Sequence, residues 1–389
     1  MYPKQREYIC VYDMKQPQDK FDNHGICVLE PSICEITEEL NGTYELYIEH
    51  PIDELGKWKA LSDHNIIKAN GELFRILKSK VKLDKTGKKV QSANCLHIFY
   101  DLNHKYLRNI SVYDTAHWLL EHIMNNNEAA GDYQINDTDP DFYNFSYFID
   151  IQATGTAEYR NDSVTAALIG TGSNSLTNMF DAEIYRHNTY FSILPKKEHS
   201  RSGAFSIQYG VDMIDIERTV DWSNFCSLLL TDDNFGNKGY AEWGGVPLPH
   251  KFTRTVTFNY SEDRGQLGED TKNFFETINY PKVSYKVNYA ELGNSPMYSE
   301  FNVLKKCEVG DTGFIYCDDL GIRVDSADPS QQVKVVRKVT DALNGSTVSI
   351  ELGSLVSSFV RQNSFTNVIA PTAKSTTDGY FKFNKGGTT

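Results

Sequence analysis

The chain has 389 residues, 40% of them apolar and 23% charged; at about 150 residues per domain that is two or three packed cores, and too apolar for wholesale disorder. No stretch approaches the ~18 uninterrupted apolar residues of a membrane span, and Met1-Tyr2-Pro3-Lys4-Gln5-Arg6-Glu7 lacks the apolar segment of a secretory signal, so no stable membrane insertion is expected. The formal charge of −13 argues against a protein that grips nucleic acid, because neutralising phosphates takes an excess of Lys and Arg.

Most of the chain reads as strands. Residues 33–40 and 43–49 alternate around Asn41-Gly42, a pair that tolerates the positive φ of a type I′ turn, so a β-hairpin is expected there. Tyr44, Leu46 and Ile48 share one face; Glu45, Tyr47 and Glu49 share the other. A second hairpin is expected from Phe74–Leu83 through Thr86-Gly87 to Val90–Ile98. Its Lys78, Lys80 and Lys82 would be wet, with Val81 and Leu83 packed on the opposite face. Residues 1 to about 105 thus read as a small barrel or sandwich.

A helix follows, capped by Ser111 or Asp114, with Ala116, Leu119, Leu120, Ile123 and Met124 forming one apolar stripe and Asn125-Asn126-Asn127 ending it. A second helix begins near Asp162-Ser163, breaks at Gly170-Thr171-Gly172 and resumes from Ser175 to Phe180. A hairpin turns at His187-Asn188, which makes the stretch 106–200 α+β. Alternation at Phe205/Ile207/Tyr209, Val283/Tyr285/Val287/Tyr289, Val333/Val335 and Val348/Ile350/Leu352 predicts further strands, and Asp270–Glu276 a short helix. Asn234 to His250, with four glycines and two prolines, is expected to be an irregular, mobile loop. From Ser364 onward the chain turns Ser/Thr/Asn/Gly-rich and reads as a tail or linker.

Charge is unevenly placed. Lys57 to Lys105 holds eleven Lys/Arg against four acids, whereas Glu128 to Asp150 holds six acids and no base. One reading is a solvated strand face and an acidic loop. The other is a pair of complementary docking surfaces between subunits, with Lys78, Lys80 and Lys82 facing Asp137, Asp139 and Asp141.

The residues that carry chemistry do not converge. There is no H-E-x-x-H, no G-x-S-x-G and no Walker loop, and Gly170-Thr171-Gly172 reads as a helix break rather than a phosphate cradle. His117 and Glu121 share a helix face without a third ligand, and His97, Asp101 and His104 gather near a strand end. The seven cysteines are scattered with no C-x-x-C, as reduced thiols made in a cytosol would be; Cys95 sits mid-strand and Cys226 leads into the apolar run Leu228-Leu229-Leu230, which suits buried thiols. Aromatics make up 12% of the chain, mostly at alternating strand positions where they pack; Asp141–Phe148 and Tyr380–Phe383 are the candidate aromatic contact surfaces. No catalytic, metal-binding or cofactor-binding residue is assigned, and no cofactor is expected.

Several stretches, in order, resemble the tail-hub proteins of Gram-positive siphophages and prophages, the "prophage endopeptidase tail" family. They are Leu40-Asn41-Gly42-Thr43-Tyr44-Glu45-Leu46, His50-Pro51-Ile52-Asp53, Ile66–Ala69, Leu73–Ile76, Ala93 to Leu102, Ile207–Gly210, Ile216–Asn224, Val309–Thr312, Asp319–Ile322 and Val348–Gly353. A departure is Asp181-Ala182-Glu183, where a glycine pair is expected before the acid. The resemblance implies a β-rich α+β fold like the central baseplate hub of contractile phages: two antiparallel β-barrel hub domains and two smaller mixed α/β domains in a ring-forming homotrimer. The expected division is 1–105 first hub domain, 106–205 peripheral α+β domain, 206–360 second hub domain with an insertion at about 234–300, and 361–389 linker.

It further implies a structural role at the virion tail tip, after assembly in the bacterial cytoplasm. The hub would close the tail tube and let DNA pass without specific binding. The implied neighbours are a distal tail protein, a tape-measure protein, and receptor-binding or wall-degrading modules. The alternatives are a peptidoglycan hydrolase or endopeptidase of the tail tip, whose activity the family resemblance places in a C-terminal extension, and a carbohydrate-binding receptor module.

Overall fold

The computed structural model describes residues 8–62, 64–83, 87–125, 143–170, 174–195, 201–211, 213–244, 250–258, 265, 267–289, 307–325 and 332–354. The alternating segments of the first hundred residues become seven strands: β1 (Ile9–Tyr12), β2 (Cys27–Leu29), β3 (Ile33–Glu39), β4 (Tyr44–Pro51), β5 (Ile66–Ala69), β6 (Glu72–Leu83) and β7 (Lys89–His97). They hydrogen-bond in the order β3-β4-β7-β6-β5-β1-β2. Leu46, Ile48, Phe74, Ile76, Ala93 and Cys95 alternate inward and are buried together.

Two details of these strands differ from expectation. The turn at Asn41-Gly42 is not type I′: only Asn41 takes a positive φ, of 50°, and the loop closes through Glu39 N–H to Thr43 O and Gly42 N–H to Glu39 O. Its cause is tertiary, since the Asn41 side chain is bonded to another part of the molecule. Nor is one face of the second hairpin packed. Leu77, Val81 and Leu83 are 50%, 63% and 65% exposed, because β5 covers β6 only from Glu72 to Arg75 and the rest of β6 projects beyond it.

A 3₁₀ turn over Ile98–His104 leads to β8 (Tyr106–Thr115), α1 (Ala116–Asn125), β9 (Ser146–Ile149), β10 (Thr154–Ser163), α2 (Val164–Ile169), α3 (Leu176–Met179), β11 (Ala182–His187) and β12 (Tyr190–Pro195). Here β8 and β10 form a ribbon, and β11, β12 and β9 form a small sheet. The apolar stripe of α1 (Ala116, Leu119, Leu120, Ile123) packs with Leu168, Leu176, Phe191 and Ile193 in one core. Neither Ser111 nor Asp114 caps α1, because both lie in β8; Thr115 Oγ1 accepts the Trp118 N–H instead. Ser163 caps α2 by accepting from Ala166 N–H.

The rest of the chain gives β13 (Phe205–Gln208), β14 (Met213–Asp221), β15 (Leu228–Asp233), β16 (Lys238–Glu242), β17 (Thr253–Phe258), α4 (Leu267–Ile278), β18 (Lys282–Tyr289), β19 (Thr312–Cys317), β20 (Ile322–Val324), β21 (Val333–Asp341) and β22 (Ser346–Ser354). The stretch expected to be an irregular loop contains β16, paired antiparallel to β15 through a tight turn in which the Asp233 carboxylate accepts the N–H groups of Phe235 and Asn237. Its Gly239 is needed for close approach, since a Cβ there would lie 2.6 Å from Thr231 Oγ1. Pro247 and Pro249 fall among the residues not described. Strands β15, β16 and β17 with α4 form a separate small unit between β14 and β18, with Cys226, Leu229, Val256, Phe274 and Ile278 inside.

The remaining strands follow the order β14-β18-β22-β21-β19-β13, with β20 also paired to β19, and β21 pairs with β3, so that both strand sets belong to one 14-stranded sheet. The second set repeats the first. Strand β3 corresponds to β14, β4 to β18, β7 to β22, β6 to β21 and β5 to β19. A bulge fixes the alignment: Leu77 is the extra residue between Ile76 and Lys78, as Val336 is between Val335 and Arg337. Following the registers outward, Ile76, Cys95, Ala93, Leu46 and Ile48 correspond to Val335, Leu352, Ile350, Tyr285 and Val287, all of them buried. Ile76 N–H bonds Asn65 O, and Val335 N–H bonds Asp311 O, at the matching place. The sets differ where β1 pairs antiparallel with β5 while β13 pairs parallel with β19.

Candidate assembly interface

The junction between the two strand sets is built from charge. Strand β21 supplies Lys334, Arg337 and Lys338; strand β3 supplies Glu35, Glu38 and Glu39. The register places Arg337 opposite Glu39, Lys338 opposite Glu38 and Asp341 opposite Glu35. The Arg337 guanidinium meets Glu39 at 3.3 Å and Glu351 at 2.8 Å. Leu40 N–H donates to Val336 O, which marks Arg337–Glu39 as a non-hydrogen-bonded antiparallel pair with its side chains close together. Lys338 donates to Cys307 O, and burial pushes its pKa down.

Strand β11 locks this junction from the side. The Asn41 carboxamide donates to Ala182 O and accepts the Ile184 N–H, both at 2.8 Å, and so stands in for a strand partner. Arg186, 1% exposed, donates to Gly42 O and Glu39 O and lies over the rings of Tyr44, Phe99 and Tyr100. Glu183 of β11 and Lys334 of β21 form a buried ion pair beside the same seam. Asp181, where the resemblance leads one to expect glycine, takes a φ of 50°; the backbone there needs the left-handed conformation glycine supplies most easily.

Glu72 closes the group, accepting from His97, His187 and the Asn188 N–H. Burial pushes its pKa up, but these donors outweigh that and hold it below the ordinary carboxylate value. His97 is fully buried, and burial outweighs the attraction of Glu72 to hold its pKa below the usual imidazole value. Its Nδ1 accepts the Phe99 N–H, so the neutral ring carries its proton on Nε2, facing Glu72.

Of this group the sequence marks Asn41 and His187-Asn188 as turn residues, Asp181 to Glu183 as a departure and His97 as one of a polar cluster, but it gives no role to Arg186, Lys334, Arg337 or Glu72. The available signal is a charged residue on the inward face of an alternating strand: Arg186 shares the face of Ala182 and Ile184, and Glu183 interrupts an apolar stretch.

The sheet has two further strand edges that carry charge. On β6 the stretch Leu77–Leu83 has β7 on one side and no strand on the other among the described residues, and it presents Lys78, Lys80 and Lys82. Strand β14 ends the opposite side of the sheet, with Asp215, Glu217 and Asp221 along it. Beside its end, Trp222, Phe225, Trp243 and Phe252 form an aromatic group, with Trp222 mostly exposed. An exposed edge bearing apolar side chains is a template for pairing with another chain. Asp137, Asp139 and Asp141 lie outside the described residues, as does the run Tyr380–Phe383.

The residues weighed for catalysis and metal binding are dispersed. Asp101 is held by a bidentate pair with Arg75 at 2.6–3.0 Å, away from His97. Glu121 bonds Asn125 and Tyr147, while His117 packs edge-on to Trp118. Among the described residues no three His, Cys, Asp or Glu side chains are placed to hold a metal ion. Burial raises the thiol pKa of Cys95 and Cys226, and pushes Cys34 and Cys307 up to about 12, the reverse of what a thiolate nucleophile needs.

The architecture defines a class. The chain has the fold of prophage tail proteins, and it matches solved structures of that kind over about nine-tenths of its length. A prophage tail protein, gp18, from Listeria monocytogenes EGD-e superimposes with a TM-score of 0.59 at 14% identity, covering 93% of this chain and 99% of that one. The 43 kDa tail protein of prophage MuSo2 from Shewanella oneidensis gives 0.57 at 8% identity, with 90% and 98% covered. A tail protein from Neisseria meningitidis MC58 gives 0.53 at 9% identity, with 89% and 96% covered. No protein-family model matches the sequence, and no curated protein matches it.

Proposed function

We propose that the chain is a structural hub protein of a phage or prophage tail, a homotrimer whose repeated strand sets form a ring at the tail tip. The observation that carries this is the repeat itself: two strand sets of one order, joined edge to edge by a charged seam inside one chain. Three such chains offer six similar modules, which reconciles a three-fold tip with a six-fold tube. The likeness in fold to tail proteins, over nearly the whole of each, supports the same reading.

The division into functional units follows this reading. Residues 1–105 and 206–360 are the two hub domains, each a barrel in the ring, and 106–205 is a peripheral domain. The second peripheral domain is the unit between β14 and β18, which overlaps the insertion expected at about 234–300. Three copies carry three times the −13 of one chain, so the channel passes DNA without holding it. Lys78, Lys80 and Lys82 are subunit contacts, and Asp137, Asp139 and Asp141 are one candidate set of partners for them. The neighbours are the distal tail protein, the tape-measure protein, and receptor-binding or wall-degrading modules. The role is mechanical rather than catalytic. Negative-stain microscopy and light scattering of the purified chain test it: annuli at three times the 44.2 kDa chain mass are expected. Particles that remain single globules at every concentration overturn it.

A further inference from the structure

We infer that the ring closes by strand pairing between copies of this chain, with the Leu77–Leu83 edge of β6 joining the outer edge of β14 of the next copy in the register of the internal β21–β3 seam. The inference rests on the ring reading above and names its interface.

The template is inside the molecule. One edge of β21 is shared, with β19 pairing at Val333 and Lys334 and β3 pairing from Arg337 to Asp341. Strand β6, its counterpart, has the first half of that arrangement: β5 covers Glu72 to Arg75. The second half lies open among the described residues. The counterpart of β3 is β14, which ends the sheet on the far side. Among the described residues each chain therefore carries one used pair of complementary edges and one unused pair, the condition for head-to-tail association that closes into a ring.

The bulge alignment fixes which residues meet. Lys78 takes the place of Arg337, Ser79 of Lys338, Lys80 of Val339, Val81 of Thr340 and Lys82 of Asp341. Through β4 and β18, Asp221 takes the place of Glu39, Val220 of Glu38, Thr219 of Thr37, Arg218 of Ile36 and Glu217 of Glu35. Copying the seam sets Lys78 against Asp221, Lys80 against Thr219, Val81 against Arg218 and Lys82 against Glu217. A basic strand again faces an acidic one, as at Arg337–Glu39. Leu40 corresponds to Trp222, so the bond from Leu40 N–H to Val336 O is repeated as Trp222 N–H to Leu77 O. Trp222 and Leu77, each about half exposed in the single chain, come together there.

Lys80–Thr219 inherits the alternation of the seam and is a non-hydrogen-bonded pair. Its Cα atoms would be about 4.5 Å apart, within the roughly 4.4–6.8 Å span of a disulfide. In one chain the two positions are seven strand spacings apart across the sheet, so a bond between them must join two copies. The test is the full chain with Lys80→Cys and Thr219→Cys under mild oxidation. The expected result is disulfide-linked two- and three-chain species that collapse on reduction and are absent from either single variant. A second arm keeps the sulfur chemistry separate: Lys78→Glu with Lys82→Glu should lower the assembled fraction at least tenfold, and adding Glu217→Lys with Asp221→Lys should restore it. Annuli from the wild-type chain without cross-linking of the cysteine pair overturn this register while leaving the hub reading standing. So does loss of assembly on reversing Asp137, Asp139 and Asp141 with none on reversing Glu217 and Asp221. A wild-type chain that forms no annuli overturns both.

Discussion

Glu183 and Lys334 are a carboxylate and an ammonium buried at 1% and 7% side-chain exposure, joining β11 to β21 beside the seam of the two strand sets. Removing one partner strands a charge where water cannot reach it, so Glu183→Ala should cost about 3–5 kcal/mol of stability. Glu183→Leu with Lys334→Met replaces both by apolar groups and should recover most of that loss. Urea unfolding of the two variants checks the pair, and equal destabilisation would mean that the charges are solvated. Glu72 and His97 give the seam a pH dependence whose sign is fixed. His97 in the folded chain sits below its ordinary value near 6.5, so the unfolded chain takes a proton first and stability falls as pH drops below 6.5. Glu72 sits below its ordinary value near 4.5, so its contribution is present above 4.5 and is lost as pH falls further, through its folded value. Melting temperature should therefore decline from pH 7 downward, and Glu72→Gln should flatten the arm below 4.5 while leaving the first decline in place.

At the scale of elements, the sequence is a good guide wherever a segment answers only to its own pattern. The apolar stripe of α1, the start of α2 after Asp162-Ser163, the His187-Asn188 turn and the strands β18, β21 and β22 all lie where the local pattern puts them. It misleads where a distant partner decides. Asn41-Gly42 carries the signature of a two-residue turn, yet Asn41 is committed to β11 and the loop widens to suit it. Strand β6 alternates as though half-buried, but burial depends on what lies over it, and β5 stops at Arg75's partner. Asn41→Gly separates the two demands on that residue, since glycine keeps the positive φ without strain and loses the side-chain bonds. Leaving the Ala182 carbonyl and the Ile184 N–H unpaired should cost about 2–4 kcal/mol, read as an earlier unfolding midpoint. Faster hydrogen exchange at Ile184 should accompany it, because that amide loses its acceptor.

For the whole molecule, the informative feature is one that single residues hide. The matched core positions are Ile76 with Val335, Cys95 with Leu352, Ala93 with Ile350 and Leu46 with Tyr285, so apolar character is shared and identity is not. Volume can be exchanged among neighbours in a core as long as the total is kept, which erases a repeat from the sequence while the strand order preserves it. Charge survives better, because it works at the edges: a basic strand beside an acidic one is legible as the Lys78, Lys80, Lys82 run, though its partner in the fold is not. If those lysines seat one copy on the next, assembly of the wild-type chain should weaken as salt rises, since the Debye length shortens from about 10 Å at 0.1 M to about 3 Å at 1 M. Reversing all three to Glu should reduce the trimer fraction most at low salt, where repulsion from Glu217 and Asp221 is least screened, and recover part of it at high salt. Light scattering across a salt series reads both trends. A variant whose trimer mass is unchanged at low salt would remove Lys78, Lys80 and Lys82 from the subunit contacts and overturn the charge-paired edge.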